Sequence, residues 1–246
     1  FNGSYPGKVP MVLGHESTGI VEQVGRDVRY VKPGDHVITC LSVFCGHCEQ
    51  CVTGHLSLCG EDEVNRGPEE EPRLSQDGQS LEQFARLGSF AEMMLVHEHA
   101  VAKIREDMPP AQAALIGCGV TTGIGAVIHT AKVEPGATVA VIGCGGIGLS
   151  TINGAAIAGA SRIIAVDMVA SKLELARKFG ATDVVDASDG DAVAKVKELT
   201  GGGVHYSFEA IGLKVCAEQA FQMLRVGGTA TVIGMIPPGD MVSVRG

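Results

Sequence analysis

The spacing of apolar and polar positions divides the chain into two textures. From about residue 120 onward, short continuous apolar runs alternate with helical patterns. "TVAVIG" (138–143) is an apolar run that ends in glycine, and "RIIAVD" (162–167) is a second. "TDVVD", "HYSFEAIG" and "GTATVIGM" complete a set of five predicted strands. Between them lie the small-residue stretch "IGLSTINGAAIAGA", the amphipathic "SKLELARKFGA" closed by glycine, and helical patterns at 189–200 and 214–225. Strands alternating with helices predict a parallel sheet with right-handed crossovers, wound on both faces. The common arrangement of this kind has six strands, so the five here predict a sheet without its last strand.

The first 115 or so residues read differently. "STGIVEQVG", "GDHVITC" and "SFAEMMLVHEHAVAKI" are short β-type segments broken by glycine and proline, a barrel-like pattern. A polar stretch at 60–88 interrupts them. It predicts a surface excursion with a short helix near "SLEQFARL", and its acidic part, "EDEVNRGPEEEP", predicts a solvated loop. The expected organisation is two domains, 1–118 and 119–246.

Length and charge narrow the class. The 246 residues suffice for real cores, and 34 glycines suit an α/β enzyme rich in tight turns. A formal net charge of -9 without a balancing basic run argues against a nucleic-acid partner. The absence of a charged-then-apolar leader and of a long apolar run predicts no membrane segment and a cytoplasmic location.

Two local motifs carry chemistry. "VIGCGGIG" presents Gly143, Gly145 and Gly148 as G-x-G-x-x-G, with Gly146 and Ile147 between, after a predicted strand and opening a predicted helix. The first glycine allows the tight turn, the second lets a pyrophosphate approach the backbone, and the third lets helix and strand pack closely. Asp167 ends the next strand, where a carboxylate can accept the ribose hydroxyls of NAD and repel the extra phosphate of NADP; Met168 follows it, not an arginine. The plainer alternative is a turn of glycines with Asp167 capping the next loop. The second motif is C-x2-C-x2-C-x7-C, formed by Cys45, Cys48, Cys51 and Cys59. Four closely spaced thiolates suit a closed tetrahedral zinc site, which holds a lobe together (45–59) and leaves no open position for chemistry. An iron–sulfur run would have a shorter last gap and then proline. His47 and His55 lie inside the lobe as spectators, and Cys40, Cys144 and Cys216 are expected to pack as small apolar groups.

"VLGHESTG" (12–19) places His15 beside Glu16 with no cysteine before it. In order, "GHE", the four-cysteine lobe, "GCGVTTG" (117–123) and "GCGGIG" followed by an aspartate resemble the zinc-dependent medium-chain alcohol dehydrogenases. The likeness falls in the branch that includes the glutathione-dependent formaldehyde dehydrogenases. The resemblance implies an α/β protein with a partial GroES-like, β-rich catalytic domain and a Rossmann domain. It implies His15 and Cys118 as ligands of a catalytic zinc, with Glu16 the adjacent acid. It also implies Thr122 beside the nicotinamide, Lys172 near the adenosine ribose, and Ile211 among the cofactor-binding residues. The family's remaining catalytic ligand and proton-relay hydroxyl would precede Phe1, so truncation at both ends is expected. Zinc and NAD are the implied cofactors, an alcohol or aldehyde the substrate, and a homodimer or homotetramer the assembly.

Three functions are therefore in view. One is NAD-dependent oxidation of a primary or aryl alcohol. Another is oxidation of an S-hydroxymethyl thiol, against which Glu63 counts because glutathione enzymes carry an arginine four residues after the last lobe cysteine. The third is a zinc- and NAD-binding fragment without turnover.

Overall fold

A computed structural model describes residues 9–60, 64, 70 and 73–244. The chain forms two compact units, Phe1–Cys118 and Gly119–Gly246.

The first unit is built from very short strands. β1 (Met11–Val12), β2 (Thr18–Ile20) and β3 (His36–Thr39) precede a single helical turn, α1 (Glu49–Val52). After it come β4 (Ser75–Gln76), β5 (Gln79–Ser80), β6 (Glu82–Gln83), β7 (Val101–Lys103) and α2 (Pro110–Ala114). The order β2-β3-β7 makes an antiparallel sheet, β1 pairs β6 in parallel, and β4–β5 is a hairpin. The hairpin turns at Asp77-Gly78, both with positive φ, the dipeptide that suits the tight turn two twisted strands need. A small core of Val43, Val64, Leu87 and Ala100 lies beneath the cysteine lobe's entry, with Cys45 packed against it.

Two expectations for this unit are corrected. "SLEQFARL" forms no helix; it supplies β6 and a single 3-10 turn, Phe84–Arg86, with Ala85 at φ 53 and Arg86 at φ 60, values no helix continues through. "SFAEMMLVHEHAVAKI" is not one strand: only Val101–Lys103 enters the sheet. Phe90, Met93 and Leu95 are largely exposed, while Met94 and Val96 pack against the small core without joining a sheet.

The second unit follows the predicted alternation. α3 (Gly119–Gly125) runs into a π-helical segment, Ala126–Ala131. Then come β8 (Thr138–Ile142), α4 (Gly146–Ile157), β9 (Arg162–Asp167), α5 (Ala170–Lys178), β10 (Asp183–Asp186), α6 (Ala192–Thr200), β11 (Val204–Glu209), α7 (Lys214–Gln222) and β12 (Leu224–Val232). The five strands pair in parallel in the order β10-β9-β8-β11-β12. Alternate residues of each strand serve opposite faces. Val139, Val141, Ile163, Ala165 and Phe208 pack against Leu149, Ile152 and Ala155 of α4 and Leu173 and Ala176 of α5. Ala140, Ile142, Ile164, Val166 and Val185 pack against Ala192 and Val196 of α6 and Cys216 and Ala220 of α7. The strand order reverses between β8 and β11, which opens a crevice at their carboxyl ends, the usual ligand position in such sheets. No single helix among the described residues is long and apolar enough to cross a membrane.

Candidate metal centres and cofactor site

In the four-cysteine lobe the sulfurs face one another. Sγ of Cys45 and Cys51 lie 3.8 Å apart, Cys48 and Cys51 3.5 Å, and Cys48 and Cys59 3.9 Å. Tetrahedral zinc with sulfurs at about 2.3 Å would set them about 3.8 Å apart, so the cage fits the ion. Backbone N–H groups of Cys45 and Cys48 point at Cys59 Sγ and Cys45 Sγ, both at 3.3 Å, an arrangement that supports negative sulfur. A Cys51 backbone N–H favours the Cys48 thiolate, but burial and the sulfurs of Cys51, Cys45 and Cys59 outweigh it and push that thiol up to about 12. Four thiols this close ionise together only around a cation. Neither His47 nor His55 belongs to this donor group.

A second donor group joins the two ends of the first unit. Ligand atoms of His15, Glu16 and Cys118 all lie within 4.8 Å of one another. His15 and Cys118 are half-buried and Glu16 is exposed. The glycine before each ligand explains the placement. A Cβ on Gly14, at φ +91, would lie 2.5 Å from Ser89 Oγ and 2.6 Å from the Phe90 ring. A Cβ on Gly117 would lie 2.1 Å from the Thr39 carbonyl oxygen. Thr39 Oγ1 in turn donates to the His15 carbonyl at 3.1 Å, so one β3 residue braces both ligand-bearing segments. The His15 ring also lies against Phe84, centroids 5.4 Å apart. An imidazole, a thiolate and a carboxylate are donors that zinc accepts.

The glycine turn after β8 leaves the space the motif requires. A Cβ on Gly148 would fall 1.7 Å from the Gly143 carbonyl oxygen, so no other residue lets α4 start this close to the strand end. A Cβ on Gly145 or Gly146 would meet nothing within 4 Å; this face of the turn is open at the start of α4, where free N–H groups and the helix dipole favour a phosphate. Ile147 lies within the first turn of that helix. Asp167 flanks the turn: its Oδ2 accepts the Cys144 N–H at 2.8 Å and its Oδ1 the Val169 N–H at 3.0 Å. Each oxygen retains a lone pair for a hydroxyl. Cys144 is buried, and burial first, then the Asp167 charge, push its thiol up to about 12; Lys172 works in the opposite sense. It is an inert packing group, as is buried Cys216. Lys172 is exposed in the first turn of α5. Ile211 crosses the turn from the other side: its Cγ1 lies 2.5 Å from where a Gly143 Cβ would be. Thr122 lines a cavity of about 450 Å³ with Thr121, His129, Thr130 and the end of β12.

Two groups without an expected role make specific contacts. His205 Nδ1 lies 2.8 Å from Thr138 Oγ1, and its Nε2 lies 2.8 Å from Arg225 Nη1, tying the starts of β8 and β11 together. Glu209, at the end of β11, is completely buried. The sequence signal for it was slight: β11, "VHYSFE", ends in an acid, as β9 and β10 do.

Residues 1–106 match the family described as alcohol dehydrogenase GroES-like domain, and residues 146–245 match zinc-binding dehydrogenase. An S-(hydroxymethyl)glutathione dehydrogenase from Synechocystis is 43% identical over 97% of this chain and 67% of its own. The chain belongs to the zinc-dependent medium-chain alcohol dehydrogenases. A class-3 alcohol dehydrogenase from Myxine glutinosa is 42% identical across 97% of this chain and 65% of its own, so the chain spans about two thirds of such relatives. Among solved structures, the benzyl alcohol dehydrogenase of Acinetobacter calcoaceticus superposes with a TM-score of 0.87 at 36% identity, over 98% of this chain and 67% of that one. A zinc-binding dehydrogenase from Sinorhizobium meliloti bound to NADP gives 0.79 at 30%, over 99% and 66%. Membership accounts for both donor groups and the glycine turn: these residues fit zinc and a nicotinamide dinucleotide.

Proposed function

We propose that this chain provides the zinc-binding and cofactor-binding parts of an alcohol dehydrogenase that moves hydride between a primary or aryl alcohol and NAD. The observation that carries the reading is the convergence of His15, Glu16 and Cys118 from sequence positions more than a hundred residues apart. His15 and Cys118 would hold the catalytic zinc, with Glu16 beside it, and Cys45, Cys48, Cys51 and Cys59 the structural one. Zinc would polarise the alcohol hydroxyl and NAD would take the hydride. The protein's own part is placement. Gly143, Gly145, Gly146, Ile147 and Gly148 receive the pyrophosphate. Asp167 and Lys172 receive the adenosine ribose. Thr122 borders the nicotinamide, and Ile211, against the glycine turn, is a further cofactor contact.

Asp167 supports NAD over NADP, because a 2′-phosphate would meet a fixed carboxylate with no arginine beside it. The free thiols suit the reducing cytoplasm, where we place the protein as a homodimer or homotetramer. In the natural protein, alcohol-dependent NADH formation is expected to vanish on chelation. Activity that survives complete zinc removal refutes the reading.

The names of the curated relatives favour a second substrate class, S-hydroxymethyl thiols. Glu63, which counts against a glutathione carboxylate, lies outside the described residues. Turnover rates with benzyl alcohol and with S-hydroxymethylglutathione decide between the two classes.

A further inference from the structure

Thr39 carries a hydroxyl where a valine of the same shape would suit a buried strand end. It is 5% exposed, and its backbone is fixed from two sides: it pairs with Val101 of β7, and its N–H donates to the Ser17 carbonyl at 3.0 Å. Burying a hydroxyl costs free energy unless it is hydrogen-bonded. Three oxygens lie within reach of this one: Ser17 Oγ at 2.9 Å, the His15 carbonyl at 3.1 Å and the Ser17 carbonyl at 3.3 Å.

A hydroxyl has one proton to give. Ser17 Oγ can give its own to Thr39 Oγ1 or to Met94 Sδ at 3.7 Å, and a thioether is the weaker acceptor. Ser17 therefore donates to Thr39, whose proton then goes to a carbonyl. The Ser17 carbonyl already takes the Thr39 N–H, so the nearer carbonyl, that of His15, receives it. The two hydroxyls thus run in one direction, from Ser17 through Thr39 to His15.

The carbonyl at the end of this relay belongs to the planar peptide that joins His15 to Glu16. Holding that plane limits the directions in which both side chains leave the backbone. The His15 ring is held separately, against Phe84. The Thr39 carbonyl presses on Gly117, the residue before Cys118. One strand end thereby addresses all three members of the donor group, two of them through its hydroxyl.

We propose that the Ser17–Thr39 hydroxyl relay is a positioning device for the catalytic metal, holding the His15–Glu16 peptide in the orientation that brings both donors to Cys118. The inference rests on the zinc reading above. It is tested in the natural protein with Thr39→Val, which removes the hydroxyl and keeps the shape, Thr39→Ser, which keeps the hydroxyl, and Ser17→Ala, which removes the group that directs it. Zinc affinity of each site is measured by chelator competition, and visible absorption is recorded with cobalt at the catalytic site. Thr39→Val is expected to weaken the catalytic metal about tenfold and to shift the cobalt bands, and Ser17→Ala to weaken it about threefold. Thr39→Ser keeps the parental affinity and spectrum, and zinc in the four-cysteine lobe is unchanged in all three. Parental affinity and spectrum in Thr39→Val, or in Ser17→Ala should Thr39→Val not fold, overturns the positioning role. So does an equal loss at both zinc sites, or a Thr39→Ser protein that behaves as Thr39→Val. A His15→Ala protein that keeps both metals overturns the zinc reading itself, and the inference with it.

Discussion

The third and second glycines of the turn separate two effects that one substitution would confound. Gly148→Ala puts a methyl carbon 1.7 Å from the Gly143 carbonyl oxygen. An ordinary contact needs about 3.4 Å, so α4 and the end of β8 must part by well over an ångström. Overpacking of this kind costs about 1–3 kcal/mol, and backbone on both sides places this case at the upper end. For a unit of this size each kcal/mol lowers Tm by about 3–5 °C, so a loss of about 10 °C is expected. Gly145→Ala differs: its Cβ meets nothing within 4 Å, and Gly145 already has an extended backbone at φ -79 that alanine adopts freely. Stability should stay within about 0.5 kcal/mol of the parent. The added methyl instead stands on the open face where a pyrophosphate would approach, so NADH affinity should fall at least tenfold, about 1.4 kcal/mol. Thermal unfolding by circular dichroism and NADH fluorescence titration read the two effects separately. If Gly145→Ala binds NADH as tightly as the parent, the open face is not the phosphate face, and the cofactor reading of the turn is wrong.

The remaining expectations are simpler. Cys51→Ser should release one equivalent of zinc, read by metal analysis, and make residues 45–59 sensitive to protease, because metal binding contributes directly to folding of such a lobe; retention of that zinc refutes the assignment. Asp183 is held at about 2, first by hydrogen bonds from Arg162, against 3.8 in the unfolded chain. A depressed folded value means the stabilisation is present above about pH 4 and is lost as pH falls toward 2. Asp183→Asn should therefore cost about 1 kcal/mol at pH 7, a modest figure for a pair still 23–35% exposed, and should flatten that part of the acid-unfolding curve. Asp191 caps α6, accepting N–H groups of Val193 at 2.9 Å and Ala194 at 3.2 Å; Asp191→Ala should cost about 1 kcal/mol in urea unfolding with the m-value unchanged.

How much could be seen in the sequence depended on the range of the signal. The second unit was legible because its central strands β8, β9 and β11 are buried on both faces and its amphipathic helices on one. Continuous apolar runs and 3.6-residue stripes therefore mark each element without knowledge of its partners. The cysteine lobe and the glycine turn were legible because all their atoms lie within a few residues of one another. The first unit was harder for the opposite reason. Its strands are two to four residues long, too short for an alternation to establish itself. Between Ser89 and Val96 the chain is apolar and Met94 and Val96 pack on the small core, yet its backbone is tied to a neighbour by isolated bonds, such as Ser89 to Gly14 and Phe90 to Leu13, and not by a ladder. Apolar content then predicted a strand where pairing never supplied one.

The site residues divide along the same line, and Thr39 shows why. "GHE" and "GCGVTTG" could be matched to a family by their letters, but nothing in those letters says what makes the glycines obligatory. The reason lies on β3, whose Thr39 carbonyl presses against Gly117 while its hydroxyl holds the His15 carbonyl. A metal ligand set drawn from distant segments needs such a brace, because ligand atoms must be held to a fraction of an ångström while the chain between them is free to vary. Glu209 is the same case in the second unit. In the sequence it is legible only as an acid at the end of a strand, like Asp167 and Asp186. Its meaning comes from Gly212 and Gly234, which close around it from either side of α7 and β12. In both units, then, the residues that carry ligands announce themselves locally, and the residues that place those ligands are recognisable only once the fold has brought distant backbone into contact.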